Sequence, residues 1–377
     1  MDNATPPPLP PNPPPLILPA RVITPPPRRT GTAWKVIAVV LLCLLLVSLY
    51  SNLKHLFGGV SGHSSLPSRT GLPRLQESVL EDNDSTNKIA VIEVEGIITS
   101  QFERGGYTMV ELIQDQFKVA ARDKRVKAVI LKVNSPGGEV LASDDINRAI
   151  TKFQQESGKP VVASMGSLAA SGGYYVSAPC RWIVANELTI TGSIGVIMNS
   201  FNYRGLMDKI GLRPEVYKSG KFKDMLSGSK KESEITDEEK QMVQSLVDET
   251  FGKFKSVVAD GRAYANRKNK DNTDSKGQAL SSKWSDYADG RVLSGTEAYN
   301  LGFVDELGGW ETAVTRAEKL ARTGKATLVQ YEQVFDFSSL FRLFSKSDAK
   351  GVKVDLGLDF PKLQAGHLYF LSPTYLR

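Results

Sequence analysis

From Lys88 onward, short runs of β-branched residues alternate with segments whose apolar positions recur every three or four residues. KIAVIEVEGII, starting at Lys88, predicts a strand from its Val and Ile content. Residues 108–122 set Met109, Leu112, Ile113 and Phe117 on one helical face. VKAVILKVNS predicts a second strand, ending in the small-residue turn Ser135–Gly138. A helix over Val140–Phe153 and a strand over Pro160–Met165 are expected next. Strands that alternate with helices predict an α/β fold whose sheet is built by right-handed crossovers. A long polar helix at about Asp237–Ala265 and the Gly-punctuated segment GRVLSGTEAYNLGFVDELGGW complete a domain spanning residues 87–330.

The segments before this domain have a different character. Of the 20 prolines, 12 fall within residues 6–27, so residues 1–33 predict an extended, disordered tail with no core to bury. Residues 34–53 (WKVIAVVLLCLLLVSLYSNL) hold an apolar run from Val36 to Tyr50. At ~1.5 Å per residue the whole segment reaches about 30 Å, which spans a bilayer if Lys35 snorkels. No Ala-x-Ala-like site follows, which favours a retained transmembrane helix over a cleaved signal peptide. Arg21, Arg28, Arg29 and Lys35 precede the run, so the positive-inside rule sets the tail in the cytoplasm and the rest of the chain outside it, at the cell membrane. Residues 54–86 are rich in Gly, Ser and Pro and then acidic, and predict a spacer. Residues 331–377 mix aromatic and basic positions and predict no clear element.

Composition narrows the chemistry. The chain has 377 residues, 41% hydrophobic and 23% charged, which is ordinary for a globular protein. The net charge of +6 is modest, and half of it lies in residues 1–35. The remainder has 43 basic and 40 acidic residues, too balanced for a nucleic-acid partner. Cys43 and Cys180 offer neither a disulfide framework nor a metal-ligand spacing. The three histidines, His55, His63 and His367, lie near the chain's edges. A zinc site or a Ser-His-Asp triad in the central domain would need a histidine there, and there is none.

Three loops rich in small residues follow expected strands, where α/β sites gather. Asn134–Gly138 (NSPGG) lets backbone amides approach a ligand closely. Met165–Ala178 (MGSLAASGGYYVSA) puts Ser171 before two glycines at a helix start, beside unsatisfied N–H groups. Ser164, Ser167 and Ser177 are competing nucleophiles, but none precedes a Gly-Gly pair. Thr189–Val196 (TITGSIGV) sets Ser193 between glycines. Each loop taken alone also fits an ordinary turn or close helix packing. Without histidine, a nucleophilic serine needs Lys, Asp or Glu as its base. VYKSGKFKDMLSGS (Val216–Ser229) supplies Lys218, Lys221 and Lys223, although such a run is commonly a solvated face.

NSPGG, SLAASGGYY, TGSIGV and KSGKFKD, in this order and spacing, resemble the signal peptide peptidase A (SppA) family of serine–lysine peptidases, over roughly residues 88–330. The resemblance implies Ser171 as nucleophile, Lys223 as general base, Ser193 as the residue orienting the lysine, and the backbone amides of Gly138 and Gly172 as oxyanion hole. It implies no metal and no cofactor. It also implies a Clp-protease/crotonase-like fold of repeated ββα units, in the short single-domain form. The partners it implies are copies of the same chain in a ring, with serine and lysine from neighbouring subunits, together with membrane lipid. The substrates it implies are signal peptide remnants and other unfolded hydrophobic peptides. The chemistry agrees. An amine with the reference lysine pKa of ~10.4 is almost wholly protonated at neutral pH. A lowering of ~3 units, about 4 kcal/mol, is available from desolvation. Asp224 adjoins Lys223 and must point elsewhere. The proline-rich tail is not part of the family pattern.

Three other functions compete. An acyl-CoA enzyme of the same fold would need cytoplasmic CoA, a Clp-type protease would need the missing histidine, and a catalytically silent ring-forming membrane scaffold should have lost Ser171 or Lys223.

Overall fold

The computed structural model describes residues 75–101, 108–270, 276–333 and 368–371, together with Leu41, Leu42 and Leu45, which are helical. The chain divides into two compact units, Met1–Thr70 and Gly71–Arg377. In the first, the tail of residues 1–33 and the rest of the expected 34–53 anchor lie outside the described residues. Among the described residues no helix is long and apolar enough to cross a membrane.

The second unit runs β1 (Leu75–Glu81), β2 (Lys88–Glu95), α1 (Met109–Arg122), β3 (Val126–Ser135), β4 (Gly137–Glu139), α2 (Val140–Ser157), β5 (Val161–Ala169) and α3 (Gly172–Ser177). It continues with β6 (Trp182–Ala185), β7 (Ile190–Gly192), β8 (Ile197–Met198), α4 (Arg204–Lys209), α5 (Asp237–Asn269), β9 (Val292–Ser294) and α6 (Gly295–Asn300). β10 (Glu306–Leu307), α7 (Trp310–Ala321), β11 (Thr327–Gln333) and β12 (Leu368–Leu371) complete it.

The main sheet has the order β1-β11-β2-β3-β5-β6-β10, with β7 beside the end of β5 and β9 beside β7. The ladders from β11 to β10 are parallel, whereas β1–β11 and β7–β9 are antiparallel. This mixed α/β sheet is the class that the strand–helix alternation predicts. Period-2 alternation decides its layering. Val129, Leu131 and Val133 of β3 pack with Ile113 and Phe117 of α1, Ile146 and Ile150 of α2, and Tyr174 and Tyr175 of α3. Ala128 and Ile130 face the opposite way, onto Ala313 and Ala317 of α7. The sheet is thus covered on both faces, as a parallel sheet requires.

Helix starts follow local chemistry. Thr108 with Glu111, Thr236 with Glu239 and Ser294 with Glu297 each form a reciprocal capping box at α1, α5 and α6. α5 has 33 residues and is therefore roughly 50 Å long at ~1.5 Å per residue. Its C-terminal half buries Phe254, Val258, Gly261 and Ala265, a stripe at helical spacing, while most of its first half is exposed. The half that packs is held by an ion pair of fully buried Arg262 with Asp305. Asp305 also accepts from the Ile183 amide at 2.9 Å and the Gln278 amide at 3.0 Å.

Several boundaries differ from expectation. β5 continues four residues past Met165, because β7 and the β3–β4 turn supply it with partners beyond the sheet's main body. α5 runs on from Ala265 to Asn269, whose side chain bonds Arg181. Leu75–Glu81, within the stretch expected as a spacer, is an edge strand on β11. Its charged sequence LQESVLE conceals that role, and charge is what keeps an exposed edge from pairing further. Its Glu77 also bonds Lys88.

Removing one partner of a buried pair strands the other. Asp305→Ala is therefore expected to destabilise the domain by about 3–5 kcal/mol. Urea-induced unfolding followed by circular dichroism measures it, and an unchanged midpoint would show that the Arg262 charge finds another partner.

Candidate active site

The site forms where β3 and β5 end. The Ala170 amide donates to the Ser135 carbonyl at 3.1 Å, and the Ser135 hydroxyl accepts from the Gly137 amide at 3.1 Å. Ser135 thus ties the NSPGG turn to the turn that carries Ser171. Between the turns there is no room for side chains. A methyl group on Gly172 would lie 2.8 Å from Ser143 Oγ, 3.0 Å from Gly137 Cα and 3.1 Å from the Gly138 nitrogen. One on Gly138 would lie 1.9 Å from the Ile98 carbonyl oxygen. The two amides expected to form an oxyanion hole therefore lie side by side. Gly172 opens α3, so its N–H has no intrahelical acceptor.

Ser171 precedes α3 with φ 55° and ψ −116°, a conformation that disfavours any residue with a Cβ. It is 1% exposed, and its Oγ has no hydrogen-bond partner among the described residues. Its amide donates to the Gly192 carbonyl at 2.8 Å, which brings the TGSIGV turn against it. Ser193 follows at φ 50°, is buried, and donates its amide to the Arg291 carbonyl at 2.7 Å. Thr191 Oγ1 donates to the Ala169 carbonyl at 2.7 Å, a second clamp between these turns.

α3 is anchored from below. Tyr174 Oη donates to the Phe303 carbonyl at 2.9 Å, and Tyr175 Oη to Asp144 at 2.7 Å. Burial pushes the Tyr175 phenol well above its ordinary pKa, reinforced by the Asp144 carboxylate, so it remains a donor. Burial likewise raises the Cys180 thiol and leaves it unreactive. Ser177 is not a rival nucleophile, since it is fully buried and donates to the Gly173 carbonyl at 2.8 Å.

Lys223 is exposed on the segment between α4 and α5 and makes no hydrogen bond to the buried Ser171 hydroxyl. The three lysines of this segment differ in partners. Lys218 pairs with Asp224 at 2.8 Å, and Lys221 with Glu238 at 2.5 Å. Lys223 has no ion pair or side-chain hydrogen bond among the described residues. Asp224, its neighbour in sequence, points instead to Lys218 and Lys230, and the Lys218 hydrogen bond holds its carboxyl below the usual carboxylate range. One chain therefore brings together Ser171, Gly138, Gly172 and the Ser193 turn, but not Lys223.

The structure adds a strand that the sequence analysis left unassigned. β12 lies between β4 and β8, antiparallel to both, with Phe370 opposite Gly138 and Tyr369 opposite Ile197. The only signal for it is the short apolar run LYFL.

A buried, uncommitted serine on a strained turn beside paired glycine amides is the arrangement of a serine hydrolase. The model of peptidase family S49 matches residues 153–324. A protein of Enterococcus faecium bearing the name signal peptide peptidase SppA is 36% identical over 267 residues, covering 70% of this chain and 72% of its own. A protein of Synechocystis sp. named as a protease is 39% identical over 235 residues, covering 62% of this chain and 74% of its own. Protease 4 of Haemophilus influenzae is 34% identical over 255 residues, 67% of this chain but 38% of the longer relative. The chain belongs to the SppA family, peptidase family S49, whose members are serine proteases.

The strain at Ser171 gives a test. Ser171→Gly relieves the positive φ and Ser171→Ala does not, so the glycine variant is expected to be more stable by about 1 kcal/mol. Equal unfolding midpoints for the two would show that the turn is not strained.

Proposed function

We propose that the protein is a membrane-anchored serine endopeptidase in which Ser171 is the nucleophile and Lys223 the general base. The fold is then of the Clp-protease/crotonase type. The observation that carries this is the buried, unpartnered Ser171 hydroxyl beside the adjacent amides of Gly138 and Gly172. The lysine amine takes the Ser171 proton as Oγ attacks the peptide carbonyl carbon. The oxyanion accepts from the two amides, each contributing about 3–4 kcal/mol. The proton then passes to the leaving amine, and water cleaves the acyl ester by the same route in reverse. Ser193 orients the lysine.

In this proposal Lys223 reaches Ser171 of a neighbouring subunit, within a ring of identical chains. The segment that bears Lys223 supports it. Phe201, Leu206, Ile210, Val216 and Tyr217 are exposed there, Tyr217 at 92%, an amount of apolar surface that favours burial against a partner. The apolar segment of residues 34–53 anchors the chain, with the proline-rich tail cytoplasmic and the peptidase outside. The substrates are signal peptide remnants and other unfolded hydrophobic peptides, in line with the name of the Enterococcus relative.

Hydrolysis of a hydrophobic signal-peptide-like substrate tests the assignment. Ser171→Ala and Lys223→Ala are each expected to abolish it while leaving assembly intact, and Lys221→Ala to retain most of it. Mixing the two inactive variants with subunit exchange is expected to restore part of the activity. An active Ser171→Ala removes the nucleophile, loss with Lys221→Ala but not Lys223→Ala identifies another lysine, and no recovery despite exchange places both groups in one chain.

A further inference from the structure

The segment that carries Lys223 sets four lysines among three carboxylates, and the other three lysines take all of them. Lys218 Nζ donates to both oxygens of Asp224, at 2.8 and 3.0 Å. Lys230 approaches the same carboxylate at 3.6 Å and donates to Glu239 at 2.6 Å. Lys221 pairs with Glu238 at 2.5 Å. Lys223 is left with no ion pair among the described residues.

The arrangement is fixed from both sides. From Gly220 to Lys230 the chain is a succession of tight turns, in which the amides of Lys223, Met225, Ser227 and Lys230 each donate to the carbonyl three residues earlier, at 3.0–3.2 Å. Lys218 also donates to the Lys221 carbonyl at 3.2 Å, which ties it to the turn that ends at Lys223. From α5, Glu239 steadies Lys230, because its second carboxylate oxygen accepts from the Thr236 amide at 3.1 Å. On the flanking helices, Arg204 pairs with Asp208 in α4 and Lys240 with Asp237 in α5.

The order of residues makes this pairing matter. Asp224 follows Lys223 directly, and the Lys218 hydrogen bond keeps its carboxyl ionised to unusually low pH. A carboxylate beside an amine favours the protonated form, which cannot accept a proton. We propose that Lys218 and Lys230 are positioning residues that sequester the Asp224 carboxylate and so leave the neighbouring Lys223 amine without a counter-ion. Lys218 carries most of this role, since it makes the shorter bonds and Lys230 is shared with Glu239. The effect on catalysis rests on Lys223 being the base of the proposed peptidase, whereas the sequestration does not.

Two measurements separate these. The acid limb of kcat/KM, measured for the full-length protein on a hydrophobic signal-peptide-like substrate, reports the base of the free enzyme. Lys218→Ala frees Asp224 to pair with Lys223, which raises the pKa of the amine. The limb is then expected to move up by about one pH unit, and kcat/KM on it to fall about tenfold. Lys218→Arg, whose fork can still hold both carboxylate oxygens, is expected to keep the limb in place. The double variant Lys218→Ala/Asp224→Asn is expected to return it there. An unmoved limb in Lys218→Ala, or a loss that the double variant does not reverse, overturns the inference. The second measurement needs no catalysis. Acetylation of Lys223 by acetic anhydride in the full-length Ser171→Ala protein, followed by mass spectrometry across a pH series, reads the unprotonated amine. Adding Lys218→Ala is expected to slow it about tenfold below the amine's pKa, and adding Asp224→Asn as well to restore it. Equal rates with and without Lys218 overturn the sequestration. An active Lys223→Ala refutes the assigned base, and the acetylation rates still decide whether Lys218 holds Asp224 away.

Discussion

The site depends on backbones approaching where no side chain fits. Gly137, Gly138 and Gly172 bring the end of β3, the start of α3 and the strand β12 closer than any Cβ would permit. Removing side chains there does two things at once. It sets two amides next to each other, and it leaves strand edges able to hold an extended chain against them. Because the donors are backbone groups of packed elements, their directions do not depend on a rotamer. That is the kind of preorganisation on which stabilisation of an oxyanion relies.

Such a junction holds its shape only if the elements behind it cannot shift. Ser135 bonds both turns, Thr191 and Gly192 tie the third turn to the first two, and the two tyrosines of α3 fix the helix to Phe303 and Asp144. Further out, the buried Arg262–Asp305 pair docks the C-terminal half of α5 beside β6. The strained backbone at Ser171 and Ser193 persists because these contacts over-determine it. The Ser171 hydroxyl is buried with no hydrogen-bond partner among the described residues, which a purely structural serine would avoid.

Much of this could be read from the chain, for reasons that differ by element. VKAVILKVNS is a strand along its whole expected length because both faces are buried, so apolar residues, most of them β-branched, fill every buried position but Ser135. The glycine-rich turns were legible because close backbone approach leaves a compositional trace. β1 and β12 were not legible, for opposite reasons. LQESVLE is an edge strand in which only Leu75 and Ser78 are half-buried while Val79 and Leu80 are exposed, so no apolar alternation marks it. LYFL is four residues long, too short for a period, and its role comes entirely from where a distant part of the chain returns. The choice among Lys218, Lys221 and Lys223 was open for a similar reason, since the ion pairs that distinguish them depend on Asp224 and Glu238 in space.

The contrast between buried Ser171 and exposed Lys223 has its own logic. A histidine can act as a base at neutral pH while staying in contact with water, whereas a lysine can do so only when desolvated and away from carboxylates. A lysine on an exposed segment is therefore harmless until something covers it. In the proposed ring, the same burial that covers Phe201, Ile210 and Tyr217 would dry the amine and deliver it to the neighbouring serine. Assembly and activation would then be one event, and a lone chain would hold a serine that cannot attack.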